Sequence, residues 1–434
     1  LAVHSSRHFA WTFVGLSLPL VIAVAAIPPL VESIGPERFG FLALAWGLIG
    51  YAGALDLGIG RAVTQQLAAL RLSNDPARVV RTFRSAIRIT VIAGAAGFAA
   101  LALAAVLGLP ALLPAASIDA TEVTVSCLLV AIALPAQAVS ATYRGVNEAY
   151  SNFAGISVLR LFLGAANFGG PYLIALQTSD LRWLVSTIVV SRIMALLAYR
   201  HLAIRCLPVE CRDAQLGPDS DTMRSLLRFG GWFSVSSVLG PIMVQADRFF
   251  VGALISVAAV TAYVLPFELV VQSMVVVGAV TTVLYPSFSA KVSDDPAAAR
   301  ALFNRWLFRV AGSMAVLYAA MLVAMPWVLH GWLGGKLSED SVIVGRILCV
   351  GAFLNSIGAV CFAYLHANKE VRVTALAHVF ELPIFLLALI VGIHFFGIAG
   401  AAGAWVLRVA LDTGLLLTFV SMLHRNGCCS WTRK

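Results

Sequence analysis

Apolar residues in this chain come in long blocks, and polar and charged residues gather in the short stretches between them. A helix needs about 20 mostly apolar residues to cross a bilayer. The pattern predicts twelve spans. Six lie near 9–31, 39–59, 82–108, 121–142, 152–176 and 183–202. Six more lie near 227–255, 258–286, 306–333, 341–365, 371–396 and 399–423. Between them the polar stretch from Arg205 to Arg224, with Pro208, Gly217 and Pro218, reads as a connecting loop with a short surface helix. The expected organisation is a six-helix bundle over 1–204, a cytoplasmic linker over 205–224 and a second six-helix bundle over 225–434.

The two halves echo each other. Ser73-Asn74-Asp75-Pro76-Ala77 returns 220 residues later as Ser293-Asp294-Asp295-Pro296-Ala297, and Phe83 returns as Phe303. Both polar pentads read as helix starts: a short polar side chain caps free N–H groups, and proline fits the first turn. Phe9 answers Phe229 at the same spacing, and Tyr143 with Asn147 answers Tyr364 with Asn368 at 221. Such self-similarity in an apolar chain implies two copies of one membrane bundle. An even number of spans in each copy gives both the same orientation. They are therefore expected to be related by a pseudo-twofold axis along the membrane normal.

Composition agrees. Of 434 residues 60% are hydrophobic and 12% charged, whereas soluble domains average about 25% charged. The sequence begins at Leu1, so the start is expected to be a fragment's or an unusual codon's. No removable signal peptide is expected, because the first apolar block serves as a span. The net charge of +9 does not point to nucleic acid, because the basic residues fall in alternate loops. Arg7, Arg61, Arg71, Arg78, Arg81, Arg84, Arg88, Arg144, Arg200, Arg205, Lys291, Arg300, Lys369, Arg372 and Arg425 fall on one side. The other side has only Arg38, Arg182, Lys336 and Arg346. The richer side is cytoplasmic by the positive-inside rule, which puts both termini inside.

Arg81, Arg84 and Arg88 share a helical face at a membrane mouth. Two readings stand: snorkelling to anionic headgroups, and docking of an anionic lipid substrate. The cysteines at 127, 206, 211, 349, 361, 428 and 429 form no CxxC pair and no cysteine–histidine cluster, so neither a disulfide framework nor a metal site is expected. Cys428-Cys429 offers a weak lipidation signal. Glycines at 164, 169 and 170, and at 397, 400 and 403, read as packing seams. Pro19, Pro28 and Pro29 are expected to bend or end the first span.

A charge at the bilayer centre costs about 3 kcal/mol on insertion scales. This chain places several there: Asp56, Arg160, Arg192, Asp247, Arg248, Glu268, Glu381, Arg408 and Asp412. At the 221 offset Arg160 corresponds to Glu381, and Arg192 to Thr413 beside Asp412. A wetted cavity between the halves, lined by these residues, is the expectation. Against it, Arg408 and Asp412 are four apart and can satisfy each other. His378 lies three residues before Glu381 and shares its face.

Three stretches resemble a known family. DLGIGRAVTQQLA (Asp56–Ala68), ADRFFVGALISVAAVTAYVLPFELV (Ala246–Val270) and YPSFS (Tyr285–Ser289) are similar to the polysaccharide flippases. These are the O-antigen and exopolysaccharide translocases of the multidrug/oligosaccharidyl-lipid/polysaccharide exporter superfamily. The resemblance implies an all-α membrane protein of two six-helix bundles enclosing a V-shaped cavity. It implies a flippase, not an enzyme, that moves an undecaprenyl-diphosphate-linked oligosaccharide from the inner to the outer leaflet by alternating access. The C-terminal helix pair added in lipid II flippases has no counterpart in this sequence, which weighs against a peptidoglycan precursor.

Under that resemblance Arg160, Arg192, Arg248 and Arg408 are the candidates to hold the diphosphate, because guanidinium binds phosphate bidentately and stays charged when buried. Asn167, Gln245, Tyr263, Gln272, Asn355 and Trp405 are candidate sugar contacts. Asp56, Glu268, Glu381 and Asp412 are candidates for a coupling cation or proton. Implied partners are the lipid-linked glycan, anionic membrane lipids, and the polymerase and chain-length machinery of a bacterial inner membrane. No cofactor is implied. The alternative is a cation-coupled multidrug exporter of the same superfamily. An intramembrane glycosyltransferase is disfavoured, because the outer loops are short and no carboxylate cluster suits metal or base work.

Overall fold

The computed structural model describes residues 2–51, 58–71, 75–108, 114, 117–208, 211, 217–333, 339–368 and 370–426. Among them the regular elements are all α-helical. In chain order they are α1 (Ala2–Tyr51), α2 (Ile59–Leu70), α3 (Pro76–Val106), α4 (Ala120–Ala149), α5 (Phe153–Ala175) and α6 (Leu181–Cys206). Then come α7 (Ser220–Leu254), α8 (Val257–Gln272), α9 (Val275–Asp294), α10 (Pro296–Leu333), α11 (Glu339–Ala367) and α12 (Val371–Asn426).

The expected spans map onto these helices, with informative exceptions. α1 and α12 each hold two spans, broken where glycine leaves the helical region: Gly35 (φ 78°, ψ 167°) and Gly397 (φ 57°, ψ −137°). Pro28 and Pro29 do not end the first span, which runs on to Gly35. The eighth span is divided into α8 and α9 by a turn at Ser273 and Met274, whose N–H groups bond the carbonyls of Val270 and Val271. α2 is a short helix of its own. It buries Ile59, Ala62, Val63 and Leu67 and leaves Arg61 exposed. Among the described residues eight stretches are long and apolar enough to cross a membrane.

The repeat is structural. Asp75 caps α3 by accepting from the Arg78 N–H at 3.0 Å, and Asp295 caps α10 by accepting from the Ala298 N–H at 2.9 Å. Pro76 and Pro296 open their helices. Phe83 packs on Tyr143 with ring centroids 5.8 Å apart, and Phe303 packs on Tyr364 at 4.6 Å. The amide of Asn147 donates to the Tyr143 carbonyl at 2.9 Å, and that of Asn368 to the Tyr364 carbonyl at 2.8 Å. One helix start, one aromatic pair and one side-chain amide thus recur in each half.

Packing divides the chain into two compact units, Leu1–Ile242 and Met243–Lys434. In the first, α4 lies against α2, α3 and α6, while α1 packs on α5. In the second, α11 lies against α8, α9, α10 and α12. α4 and α11 occupy equivalent repeat positions and are the most enclosed spans, 61% and 56% buried over their apolar stretch against 22% for α3 and 17% for α10. Outer helices turn large apolar residues outward instead, as with Phe308, Val316 and Trp327 on α10. In lipid such exposure is favourable.

Small residues permit the closest helix approaches. Gly145 on α4 lies against the Gly60 carbonyl at the start of α2, where a Cβ would collide with backbone.

Candidate functional site

The charged interior of the second unit is assembled by three helices. α7 contributes Asp247 and Arg248, which are 0% and 4% exposed. α8 contributes Tyr263, Phe267, Glu268 and Gln272. α12 contributes His378, Glu381 and Phe385 before Gly397, and Trp405, Arg408 and Asp412 after it.

The break at Gly397 is why the last six residues converge. It lets the two limbs of α12 run back along each other, with Gly392 and Gly400 in backbone contact. An α-helix rises about 1.5 Å per residue, so residues equally far from the break lie side by side. Glu381 precedes Gly397 by 16 residues and Asp412 follows it by 15; Phe385 and Arg408 are 12 and 11 away. The Arg408 guanidinium lies over the Phe385 ring at 5.7 Å. Ligand atoms of His378, Glu381 and Asp412 all fall within 4.8 Å of one another. His378 Nε2 is 3.8 Å from Asp412 Oδ1. Arg408 is close enough to act electrostatically on Asp412, Glu381 and Asp247.

Beside this group runs a second chain of polar contacts. Asp247 accepts from the Tyr263 hydroxyl at 2.5 Å and from the Arg248 N–H at 2.7 Å. The Arg248 guanidinium bonds Glu268 at 3.3 Å and lies over the Phe267 ring at 5.5 Å. Gln272 donates to the other Glu268 oxygen at 3.2 Å. The adjacent residues Asp247 and Arg248 therefore play different parts: Asp247 ties α7 to α8 through Tyr263, and Arg248 pairs with Glu268.

Burial leaves several of these atoms without a hydrogen-bond partner in the protein: both carboxylate oxygens of Glu381, Asp412 Oδ1, Gln245 Oε1, Arg248 Nε and Arg408 Nε. Glu381 is 1% exposed. Two carboxylates facing each other offer acceptors and no donor, which a proton or a cation resolves.

The first unit has a different polarity. Arg192, half-buried on α6, donates to Asn167 Oδ1 on α5 at 2.8 Å. Its Nε and the Trp46 indole N–H are buried with no partner in the protein. Trp46 packs on Phe168 at 5.0 Å, next in sequence to Asn167. Among the described residues no carboxylate pairs with Arg192 or Arg160. Arg160 is exposed on α5. Unfilled donors mark this unit, whereas unfilled acceptors dominate the second.

Asp56 lies outside the described residues. Of the suggested sugar contacts, Asn167 and Gln272 are bound to charged groups, and the Asn355 amide donates to Met274 Sδ at 3.2 Å. Trp405 packs edge-on to Phe267. Glu122 was missed by sequence reasoning. It takes a bidentate contact from Arg38 (3.1 and 3.2 Å) and accepts from the Leu181 N–H at 2.7 Å. The sequence counts Arg38 as an exception to the charge rule but gives no sign of its partner 84 residues away.

The two helical units, each with buried charge inside it, have the fold of solved membrane proteins. A solved inward-facing multidrug resistance MATE family transporter of the MOP superfamily matches with a TM-score of 0.75 at 12% identity, covering 96% of this chain and 100% of that one. The lipid II flippase MurJ in an inward closed conformation matches at 0.73 and 12% identity, covering 97% and 88%. The sequence goes further. The family model described as polysaccharide biosynthesis protein matches residues 6–291, and the chain belongs to that family. A putative O-antigen transporter of Shigella flexneri is 25% identical over 411 residues, 94% of this chain and 96% of the relative. The lipopolysaccharide biosynthesis protein WzxC of Escherichia coli (strain K12) is 26% identical over 200 residues, 45% of this chain and 39% of the relative.

Proposed function

We propose that the protein is a flippase that carries an undecaprenyl-diphosphate-linked oligosaccharide from the cytoplasmic to the outer leaflet by alternating access, for polysaccharide export. Family membership and the near full-length likeness to a putative O-antigen transporter support this substrate class. The observation that carries it into the molecule is Arg192, a guanidinium embedded in a span with an unfilled donor and no carboxylate beside it among the described residues. Such a group is costly in a membrane unless it meets an anion. The diphosphate is that anion, held by Arg192 with Arg160 on the next helix.

The second unit takes the energising role. Glu381 and Asp412 bind the coupling cation or proton, with Arg408 setting the local charge. Arg248 and Glu268 neutralise each other and serve mainly to hold α7 on α8. The protein resides in a bacterial inner membrane with both termini cytoplasmic, amid anionic lipids and alongside the polymerase and chain-length machinery. It makes and breaks no covalent bond of its substrate.

Removing the protein and following prenyl-diphosphate-linked sugars by leaflet tests the reading. Accumulation on the cytoplasmic side is expected. Unchanged polymer export with heightened sensitivity to cationic dyes would replace it with the multidrug exporter. Arg192→Ala is expected to lower export by at least about tenfold, the loss of roughly 1.4 kcal/mol of binding, at unchanged protein level. Arg192→Lys should recover it only in part, because a point charge lacks the bidentate fork.

A further inference from the structure

The His378–Glu381–Asp412 cluster has a chemistry that proton or alkali-ion coupling does not require: a nitrogen donor. Three residues from two limbs of α12 bring one imidazole nitrogen and two carboxylates within 4.8 Å of one another. Glu381 is 1% exposed, and no protein donor reaches either of its oxygens; the Asp412 carboxyl beside it can bond it only through a shared proton. Asp412 Oδ1 is likewise unfilled, and His378 Nε2 stands 3.8 Å from it, too long for a hydrogen bond.

Charge points the same way. Arg248 pairs with Glu268. Arg408 acts on Asp247, Glu381 and Asp412, and Asp247 also feels Arg248 beside it, so two guanidinium groups stand among the four carboxyl groups of Asp247, Glu268, Glu381 and Asp412. Two negative charges stay uncompensated when all the carboxylates are ionised and His378 is neutral. One divalent ion balances them.

We propose that His378, Glu381 and Asp412 form a binding site for a divalent transition-metal ion of the zinc class. Magnesium and calcium favour all-oxygen surroundings, whereas imidazole suits zinc and its neighbours. Metal–ligand distances of about 2.0–2.2 Å place tetrahedral donors roughly 3.3–3.6 Å apart, so the cluster needs only a modest contraction. Three protein ligands leave the fourth position open. Filled by a metal, the cluster is closed to a coupling proton or alkali ion. Zinc is therefore an inhibitor of export. This last step rests on the coupling role given above to Glu381 and Asp412; the binding itself does not.

The test uses the full-length protein in detergent, stripped with a chelator and titrated with Co²⁺ and Zn²⁺. The expected result is one Co²⁺ per chain with a visible ligand-field spectrum, displaced by Zn²⁺ and not by a large excess of Mg²⁺. His378→Ala should weaken binding by roughly tenfold or more, since one of three ligands is gone, while His394→Ala leaves it unchanged. Failure of the wild type to bind Co²⁺ or Zn²⁺ overturns the proposal without recourse to a variant. So does binding that survives His378→Ala, or equal competition by Mg²⁺. If zinc binds as expected but Glu381→Gln exports normally, the coupling reading falls and the metal site stands.

Discussion

At the scale of single residues, three of the four positive charges expected on the outer side are anchored, and the fourth, Lys336, lies outside the described residues. Arg38 is bound by Glu122, Arg182 by Asp180 at 2.5 Å, and Arg346 donates to the Leu322 carbonyl at 3.3 Å. Glu122 does most, joining α1, α4 and the start of α6. Glu122→Ala is expected to lower stability by about 3 kcal/mol, since it strands a guanidinium and a buried N–H. Glu122→Gln should cost less. Thermal melts of the detergent-solubilised protein check both.

A second residue-scale prediction concerns pH. Asp219 caps α7 by accepting from the Thr222 hydroxyl and N–H, at 2.6 and 2.9 Å, and its own N–H bonds Ser85 on α3. The Thr222 bonds hold its carboxyl below the ordinary carboxylate range. A lowered folded value means that the contribution is complete above the unfolded pKa, about 3.9. It is lost as pH falls through the folded value. Melting curves of the wild type and Asp219→Ala should therefore differ at neutral pH and converge under strong acid. A constant gap down to the lowest pH would contradict this.

Among the elements, the long spans and the repeat were legible because both depend on local pattern. Length and hydropathy marked the helices, and Asp-Pro marked the starts of α3 and α10. The division of the eighth span was hidden, because the polar pair Gln272-Ser273 is too short a break to end an apolar run. The double proline does not end the span, since Pro28 and Pro29 sit in a helix that runs on to Gly35. The cluster on α12 was half legible. His378 and Glu381 share a face by spacing, but Asp412 joins them only through the reversal at Gly397. Equal counting from that glycine would have found it. Close packing between elements is equally testable. Gly145→Val forces α4 off α2 and is expected to cost several kcal/mol, as overpacking against rigid backbone does. Loss of folded protein in size-exclusion profiles checks it, with Gly145→Ala milder but in the same direction.

For the whole molecule, the two repeats carry charges of opposite sign at equivalent positions. Equivalent positions hold Arg160 in one and Glu381 in the other, the first exposed and the second buried. This divergence was readable from the offset, but its environments were not, because burial depends on how the helices pack. The proposed division of labour follows: an anion site in one unit, a cation site in the other. Glu381→Gln keeps the shape and removes the charge. It should reduce gradient-driven export by at least about tenfold, equivalent to roughly 1.4 kcal/mol. Export by the variant should also no longer respond to the applied ion gradient in proteoliposomes. Retained, gradient-sensitive export would move the coupling role elsewhere.

The glycine that reverses α12 also restricts how this protein can change over time. With about 3.6 residues per turn, one residue inserted in either limb swings everything beyond it by about 100° and shifts the register by about 1.5 Å. Histidine and carboxylates would then point away from one another, though each limb remained a good helix. Descendants can exchange the apolar residues of this hairpin freely, but its arms must lengthen or shorten together or not at all.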